Sequence, residues 1–244
     1  MNSVIIIPAR MASLRLPGKP LADICGAPMI VRCAQRAQAA ALGPVYIACC
    51  EPEVRDAVQA AGYEAVMTDP DLPSGTDRIK AALEQIDPDG KFDTIINVQG
   101  DLPTLDPSIL KTAMSVMDNK SVDIGTLAVE TEDPGDIANP NVVKAVISFA
   151  HEGAGRALYF TRASAPSGDG PVYHHVGLYV YRRAALNSFC ALAPSPLERR
   201  ERLEQLRALE AGMRIDVALI DTAPHGVDTP ADLVRARAEY ESAL

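Results

Sequence analysis

Val4-Ile5-Ile6-Ile7-Pro8 is an unbroken apolar run, mostly β-branched, closed by a proline. Such a run reads as a short strand buried on both faces, as in a parallel sheet covered by helices. The chain downstream repeats the theme. After a long loop, Pro28 can open a helix in which Met29, Ile30, Cys33, Ala34 and Ala37 recur at helical spacing. Residues 45–49 read as a second strand, 53–61 as a helix stopped by Gly62, and 65–67 as a third strand. Residues 75–86 read as a helix entered through Ser74 or Thr76, 94–98 as a strand, and 107–117 as a helix. Alternation of this kind predicts parallel strands joined by right-handed crossovers.

The pattern changes after about Val122. Residues 123–130, 142–149 and 175–181 look extended. Residues 198–211 read as one helix, 215–220 as a strand, and 230–240 as a closing helix with Thr229 as its cap. Residues 164–171, Ser-Ala-Pro-Ser-Gly-Asp-Gly-Pro, form the clearest flexible loop. The expected fold is a three-layer α/β domain over residues 1–244, with a mostly parallel central sheet wrapped by helices. Two small domains are the alternative at this length of 244 residues.

Composition narrows the function. Apolar residues make up 48%, enough for a sizeable core and too many for a disordered chain. Lys and Arg number 23 against 32 Asp and Glu, a net charge of −9, which argues against nucleic acid or an anionic membrane as partner. The five cysteines (25, 33, 49, 50 and 190) share no metal-ligand spacing and suit a reducing compartment. The apolar run at residues 4–7 is too short for a signal peptide or a membrane span, so a cytoplasmic protein is expected.

In open α/β sheets, ligands bind at the carboxyl ends of the strands. The loop after the first strand carries Arg10, Arg15 and Lys19, with no acidic residue before Asp23. Cations clustered against the global charge suit a polyphosphate. Gly18 and the small residues Ala9, Ala12 and Ser13 would let the backbone approach it. The competing reading is a solvated basic loop. The loop is not of the Walker type, since Pro20 follows Gly18-Lys19, and the dinucleotide glycine fingerprint is absent. The loop after residue 98 reads Gln99-Gly100-Asp101, where a carboxylate beside a glycine suits a hard cation such as Mg²⁺ or else a simple turn. Asp228, just before the closing helix, is either a second metal ligand or a helix cap.

Eight stretches occur in order: Ile7-Pro8-Ala9-Arg10, Arg15-Leu16-Pro17-Gly18-Lys19-Pro20-Leu21, Ser74-Gly75-Thr76-Asp77-Arg78, Asn97-Val98-Gln99-Gly100-Asp101, Asn139-Pro140-Asn141-Val142-Val143-Lys144, His175-Val176-Gly177-Leu178-Tyr179-Val180-Tyr181-Arg182, Leu203-Glu204-Gln205-Leu206-Arg207 and Val227-Asp228-Thr229-Pro230. Together they resemble the 3-deoxy-manno-octulosonate (Kdo) cytidylyltransferases, over nearly the whole chain. That resemblance implies CMP transfer from CTP to the anomeric hydroxyl of Kdo, with release of pyrophosphate, for lipopolysaccharide biosynthesis. Arg10, Ser13, Arg15, Lys19, Ser74 and Arg78 would hold the nucleotide, and Asp101 and Asp228 would bind Mg²⁺. Lys19, Arg10, Asp101 and Asp228 would form the catalytic group. Gln99, Arg162, His175, Tyr179, Glu204 and Gln205 would surround the sugar acid, with Arg162 on its carboxylate. His175 could instead be a packed strand histidine. The resemblance also implies a homodimer, with residues 139–190 or so as the dimerisation excursion.

The chain departs from the family pattern at Leu102, at Leu72-Pro73, at Cys49-Cys50-Glu51-Pro52 and in the 164–171 loop. None of these removes a phosphate or metal ligand. Leu102 and the loop bear on which sugar is accepted, so activation of 8-amino-Kdo or of a nonulosonate stays open beside Kdo. A nucleotide-binding relative without catalysis is the reading outside enzymes.

Overall fold

The computed structural model describes residues 2–13, 15–151 and 153–242, apart from the side chains at 150 and 151. The chain forms two compact units. One comprises the residues up to Leu110 together with those from Pro224 onward, and the other is Lys111–Ala223.

The first unit begins with β1 (Ser3–Pro8), in which Val4 to Ile7 have no solvent exposure. The small antiparallel pair β2 (Asp23–Ile24) and β3 (Ala27–Pro28) leads into α1 (Met29–Ala39). There follow β4 (Val45–Cys49), α2 (Pro52–Ala60), β5 (Glu64–Met67), α3 (Gly75–Ile86) and β6 (Thr94–Asn97). The four main strands lie in the order β5-β4-β1-β6, all parallel. The order carries a physical consequence. The chain steps outward from β1 to β4 to β5, then returns through α3 to the other side of β1. Right-handed crossovers therefore put α1 and α2 on one face and α3 on the other. The reversal makes the carboxyl ends of β1 and β6 the switch point, where such sheets open a crevice.

Helix α4 (Pro107–Ser115) leads into the second unit. Its strands are β7 (Ile124–Thr131), then β8 (Lys144–His151) after the short α5 (Pro134–Ala138), β9 (Ala154–Thr161) and β10 (Val172–Arg182). Helices α6 (Arg183–Ala191), α7 (Pro196–Glu201) and α8 (Gln205–Glu210) precede β11 (Ile215–Leu219). Here the order is β10-β7-β11-β9-β8, with β8 pairing back onto β10, so the five strands close on themselves. Among the described residues β7–β11 is the parallel pairing of this unit, and the others are antiparallel. The chain then returns to the first unit through α9 (Pro230–Ser242).

One helix was expected over residues 198–211, and the structure has two. Arg202 adopts a left-handed conformation, with φ 57°, and ends α7. Ser195 starts α7 with a reciprocal capping box to Glu198. No helix among the described residues is long and apolar enough to cross a membrane.

Candidate active site

The crevice at the switch point is real. A cleft of about 640 Å³ in the first unit is lined by the loop after β1, the entry to α3, the loop after β6, and Asp228. Two backbone features set its floor. Gly18 sits at φ 69°, a left-handed turn that glycine adopts without strain, and the 3₁₀ turn Lys19–Leu21 follows at once. Gly100 packs so closely on β1 that a Cβ there would stand 2.7 Å from the Pro8 carbonyl oxygen. Only glycine permits that approach.

The charged groups converge on one point. The Lys19 ammonium donates to Asp101 Oδ2 at 2.7 Å and to Asp228 Oδ1 at 2.9 Å. Arg15 Nη2 donates to the other Asp228 oxygen at 2.9 Å. The two carboxylates meet because the Val227 amide donates to the Asp101 carbonyl at 2.9 Å, fastening the Asp228 segment beside the β6 loop. Burial would lower the Lys19 pKa, but Asp101 and then Asp228 outweigh it and hold the ammonium above the ordinary lysine value. Lys19 is therefore not part of a solvated basic loop: its side chain is only 16% exposed, whereas Arg15 is open to solvent and Arg10 is exposed.

The choice between cap and carboxylate cluster at Asp228 also has a geometric answer. Thr229 caps α9, its hydroxyl accepting the Asp232 amide at 3.2 Å. The Asp228 carboxylate faces Lys19 and Arg15 instead. The pair Asp101 and Asp228 supplies hard oxygen donors held around a cation, a set that could hold Mg²⁺ with substrate oxygens completing it. No cluster of three or more His, Cys, Asp or Glu side chains fit to hold a metal occurs among the described residues.

The remaining nucleotide-side residues line the same cleft. Ser74 caps α3, accepting the Asp77 amide at 3.1 Å. Arg78 is buried, 3% exposed, and donates to the Thr68 hydroxyl. Ser13 Oγ accepts the Leu16 amide at 3.4 Å. Gln99, expected on the sugar side, also lines this cleft, and its amide donates to Asn97 Oδ1 at 3.5 Å. Sequence reasoning missed Glu51, whose Oε1 accepts the Met11 amide at 2.9 Å and so anchors the basic loop. Its signal was present in the Cys49–Pro52 departure, an acid placed between a strand end and a helix-opening proline.

The other five sequence-predicted residues belong to the second unit. His175 is buried, with Nε2 3.0 Å from Thr126 Oγ1 and its ring edge-on to Phe160 at 4.7 Å. Burial, with a smaller contribution from His174, lowers its pKa to about 3, so the ring stays neutral. Tyr179 lies within an irregular stretch of β10, between Val176 and Val180, yet its ring lies 5.6 Å from that of His175. Burial and the nearby Glu204 keep its phenol protonated. Glu204 and Gln205 begin α8, and Gln205 is buried. The Arg162 guanidinium donates to the carbonyls of Glu201, Pro140 and Arg202 at 2.8, 3.0 and 3.4 Å. The stretch 201–205 thus neighbours both Arg162 and Tyr179.

A sequence model of the cytidylyltransferase family matches residues 4–215. The chain is 62% identical over 237 residues to a 3-deoxy-manno-octulosonate cytidylyltransferase of Parvibaculum lavamentivorans, covering 97% of this chain and 92% of the relative. A 3-deoxy-manno-octulosonate cytidylyltransferase of Mesorhizobium japonicum is 61% identical, with 97% and 98% covered. Among solved structures, a CMP:2-keto-3-deoxy-manno-octonic acid synthetase complexed with CTP superposes with a TM-score of 0.91 at 38% identity, covering both chains completely.

Proposed function

The chain belongs to the cytidylyltransferase family, in its 3-deoxy-manno-octulosonate branch, and we propose that it transfers CMP from CTP to Kdo. The anomeric hydroxyl oxygen of Kdo forms a bond to the α-phosphorus, and the bond from that phosphorus to the oxygen bridging to the β-phosphate breaks. CMP-Kdo and pyrophosphate are the products, and the hydroxyl proton leaves to solvent. The observation that carries the reading is the convergence of Lys19, Asp101 and Asp228 in a cleft flanked by Arg10, Arg15 and Arg78.

The chain's own residues account for most of the chemistry. Arg10, Arg15 and Lys19 present donors to the triphosphate, and their charge counts most when negative charge grows on the departing pyrophosphate. The backbone around Gly75, at the start of α3, adds amide donors and the positive end of a helix dipole. Arg78 has its guanidinium fixed by Thr68 and contributes a charge that does not need to be ordered on binding. Asp101 and Asp228 would hold Mg²⁺. When bound, the ion supplies Lewis-acid neutralisation of phosphate charge and lowers the pKa of the attacking hydroxyl. The fit of the site to the ion rests on the two carboxylates already gathered around an ammonium.

In the second unit, Arg162 would receive the sugar carboxylate, with His175, Tyr179, Glu204 and Gln205 offering hydrogen bonds to its hydroxyls. His175 is neutral and acts as a hydrogen-bonding group rather than a proton donor of positive charge. We further propose that the enzyme works in the cytoplasm as a homodimer, supplying activated Kdo for lipopolysaccharide biosynthesis. Pyrophosphate release measured with CTP and a panel of sugar acids tests the reading. Kdo should be the best acceptor. Faster turnover of 8-amino-Kdo or a nonulosonate would reassign the substrate, and no release with any of them would leave a nucleotide-binding protein.

A further inference from the structure

Lys144 heads β8 with no solvent exposure, and it forms no salt bridge among the described residues. Its ammonium donates to three main-chain carbonyls: Asn139 at 2.7 Å, Val142 at 2.8 Å and Arg162 at 3.4 Å. The charge is expensive to hold there. Burial lowers its pKa, and only the more distant Asp136 opposes that shift. A methionine would fill the same space without the desolvation cost, so packing alone does not account for a lysine.

What the ammonium fastens is informative. Asn139 and Val142 flank Pro140, and the Pro140 carbonyl accepts from Arg162 Nη1 at 3.0 Å. Lys144 thus grips Arg162 twice. It binds the main chain of Arg162 directly, and it fixes the loop whose carbonyl aims the guanidinium. Lys144 is also where β8 is paired on both sides, to Thr161 of β9 and to His174 of β10. That double pairing fixes the main chain from which the lysine side chain reaches. Arg162 has five N–H groups in a rigid fork. Among the described residues three are turned to the carbonyls of Glu201, Pro140 and Arg202, which leaves two for a planar anion.

We propose that Lys144 is a positioning residue for sugar-acid binding, acting through Arg162 without touching the substrate. The inference rests on Arg162 being the carboxylate anchor. The test is a cycle of Arg162→Ala, Lys144→Met and the double variant. It reads the KM for Kdo, kcat, and CTP affinity by calorimetry.

Arg162→Ala should raise the KM for Kdo by about tenfold or more and leave CTP affinity unchanged. Lys144→Met should raise the same KM, with kcat within about threefold of the parent. The double variant should match Arg162→Ala alone, because the lysine works through a group no longer there. Lys144→Gln keeps two amide donors, should give an intermediate KM, and replaces Lys144→Met should that variant not fold. Additive KM effects would overturn the proposal, as would a joint loss of kcat and CTP affinity or the failure of both lysine variants to fold. An unchanged KM in Arg162→Ala would remove the anchor itself, and the positioning role with it.

Discussion

Lys19 Nζ lies 2.7 Å from Asp101 Oδ2, although the two residues leave different strands and are 82 positions apart. The ammonium occupies the space between the two carboxylates that the proposed reaction reserves for a divalent cation. Lysine thus serves as the resident counter-ion of an acidic pair. On the proposed reaction, a triphosphate entering the cleft would offer Lys19 a second set of oxygens and release the carboxylates.

Lys19→Met should cut kcat by about 10²-fold or more, since a donor to the developing phosphate charge is lost. The same variant should bind Mn²⁺ without nucleotide more tightly than the parent, because Asp101 and Asp228 no longer share a fixed positive charge. Electron paramagnetic resonance of free Mn²⁺ reads this directly. Unchanged Mn²⁺ affinity would show that the ammonium does not compete for the pair.

Asp228→Asn should fold with a melting temperature close to the parent. The cap of α9 is Thr229, and the partly exposed ion pairs of Asp228 contribute little. Activity should nevertheless fall by about 10²-fold or more, with partial recovery in Mn²⁺. Asp101→Asn should behave likewise, and the two losses should not add if both serve one ion. Parent-like activity in Asp228→Asn would count against the metal assignment, and a large loss of melting temperature would make the residue structural.

CTP should be turned over far better than UTP or ATP. This rests on family membership and on the solved relative complexed with CTP, because the phosphate contacts described above are common to all three nucleotides. Steady-state rates with the three nucleotides at fixed Kdo decide it. Equal rates would remove the nucleotide assignment.

The buried histidine sets a pH dependence of stability. His175 has a folded pKa of about 3, while an unfolded histidine titrates near about 6.5. Between these values the unfolded chain binds the proton and the native chain does not. The contribution is complete above about pH 6.5 and is lost on acidification, by at most about 1.4 kcal/mol per pH unit. Urea unfolding from pH 6.5 to 5 should therefore show a steeper loss for the parent than for His175→Leu. Parallel slopes would mean that the ring is charged in the native state.

The first unit was largely legible in the sequence because its signals are local. The β-branched run at residues 4–7 names a buried strand, Ser74 and Thr229 name helix starts, and the basic loop after the first strand names one wall of the cleft. The second unit was less so. Ala154–Thr161 carries no strand signal of its own, since Ala, Gly and Arg at its start dilute the pattern that β8 and β11 complete by pairing. Residues 183–191 follow β10 without a side-chain cap, so no local signal marks the start of their helix. The break at Arg202 puts a non-glycine residue in the left-handed region, which composition does not signal. The burial of Lys144 was equally hidden, because its acceptors are carbonyls and every residue type has one.

The close seating of Gly100 on Pro8 bears on how this catalyst could be re-engineered. Randomising the cleft for a new acceptor or nucleotide would make position 100 a dead column in the library, since any side chain there meets a carbonyl oxygen of the first strand. The spacing between the basic loop and the acidic loop is thus a fixed gauge written in main chain. Diversity is better placed at Leu72 and Pro73, which line the same cleft from the α3 side and leave that gauge alone.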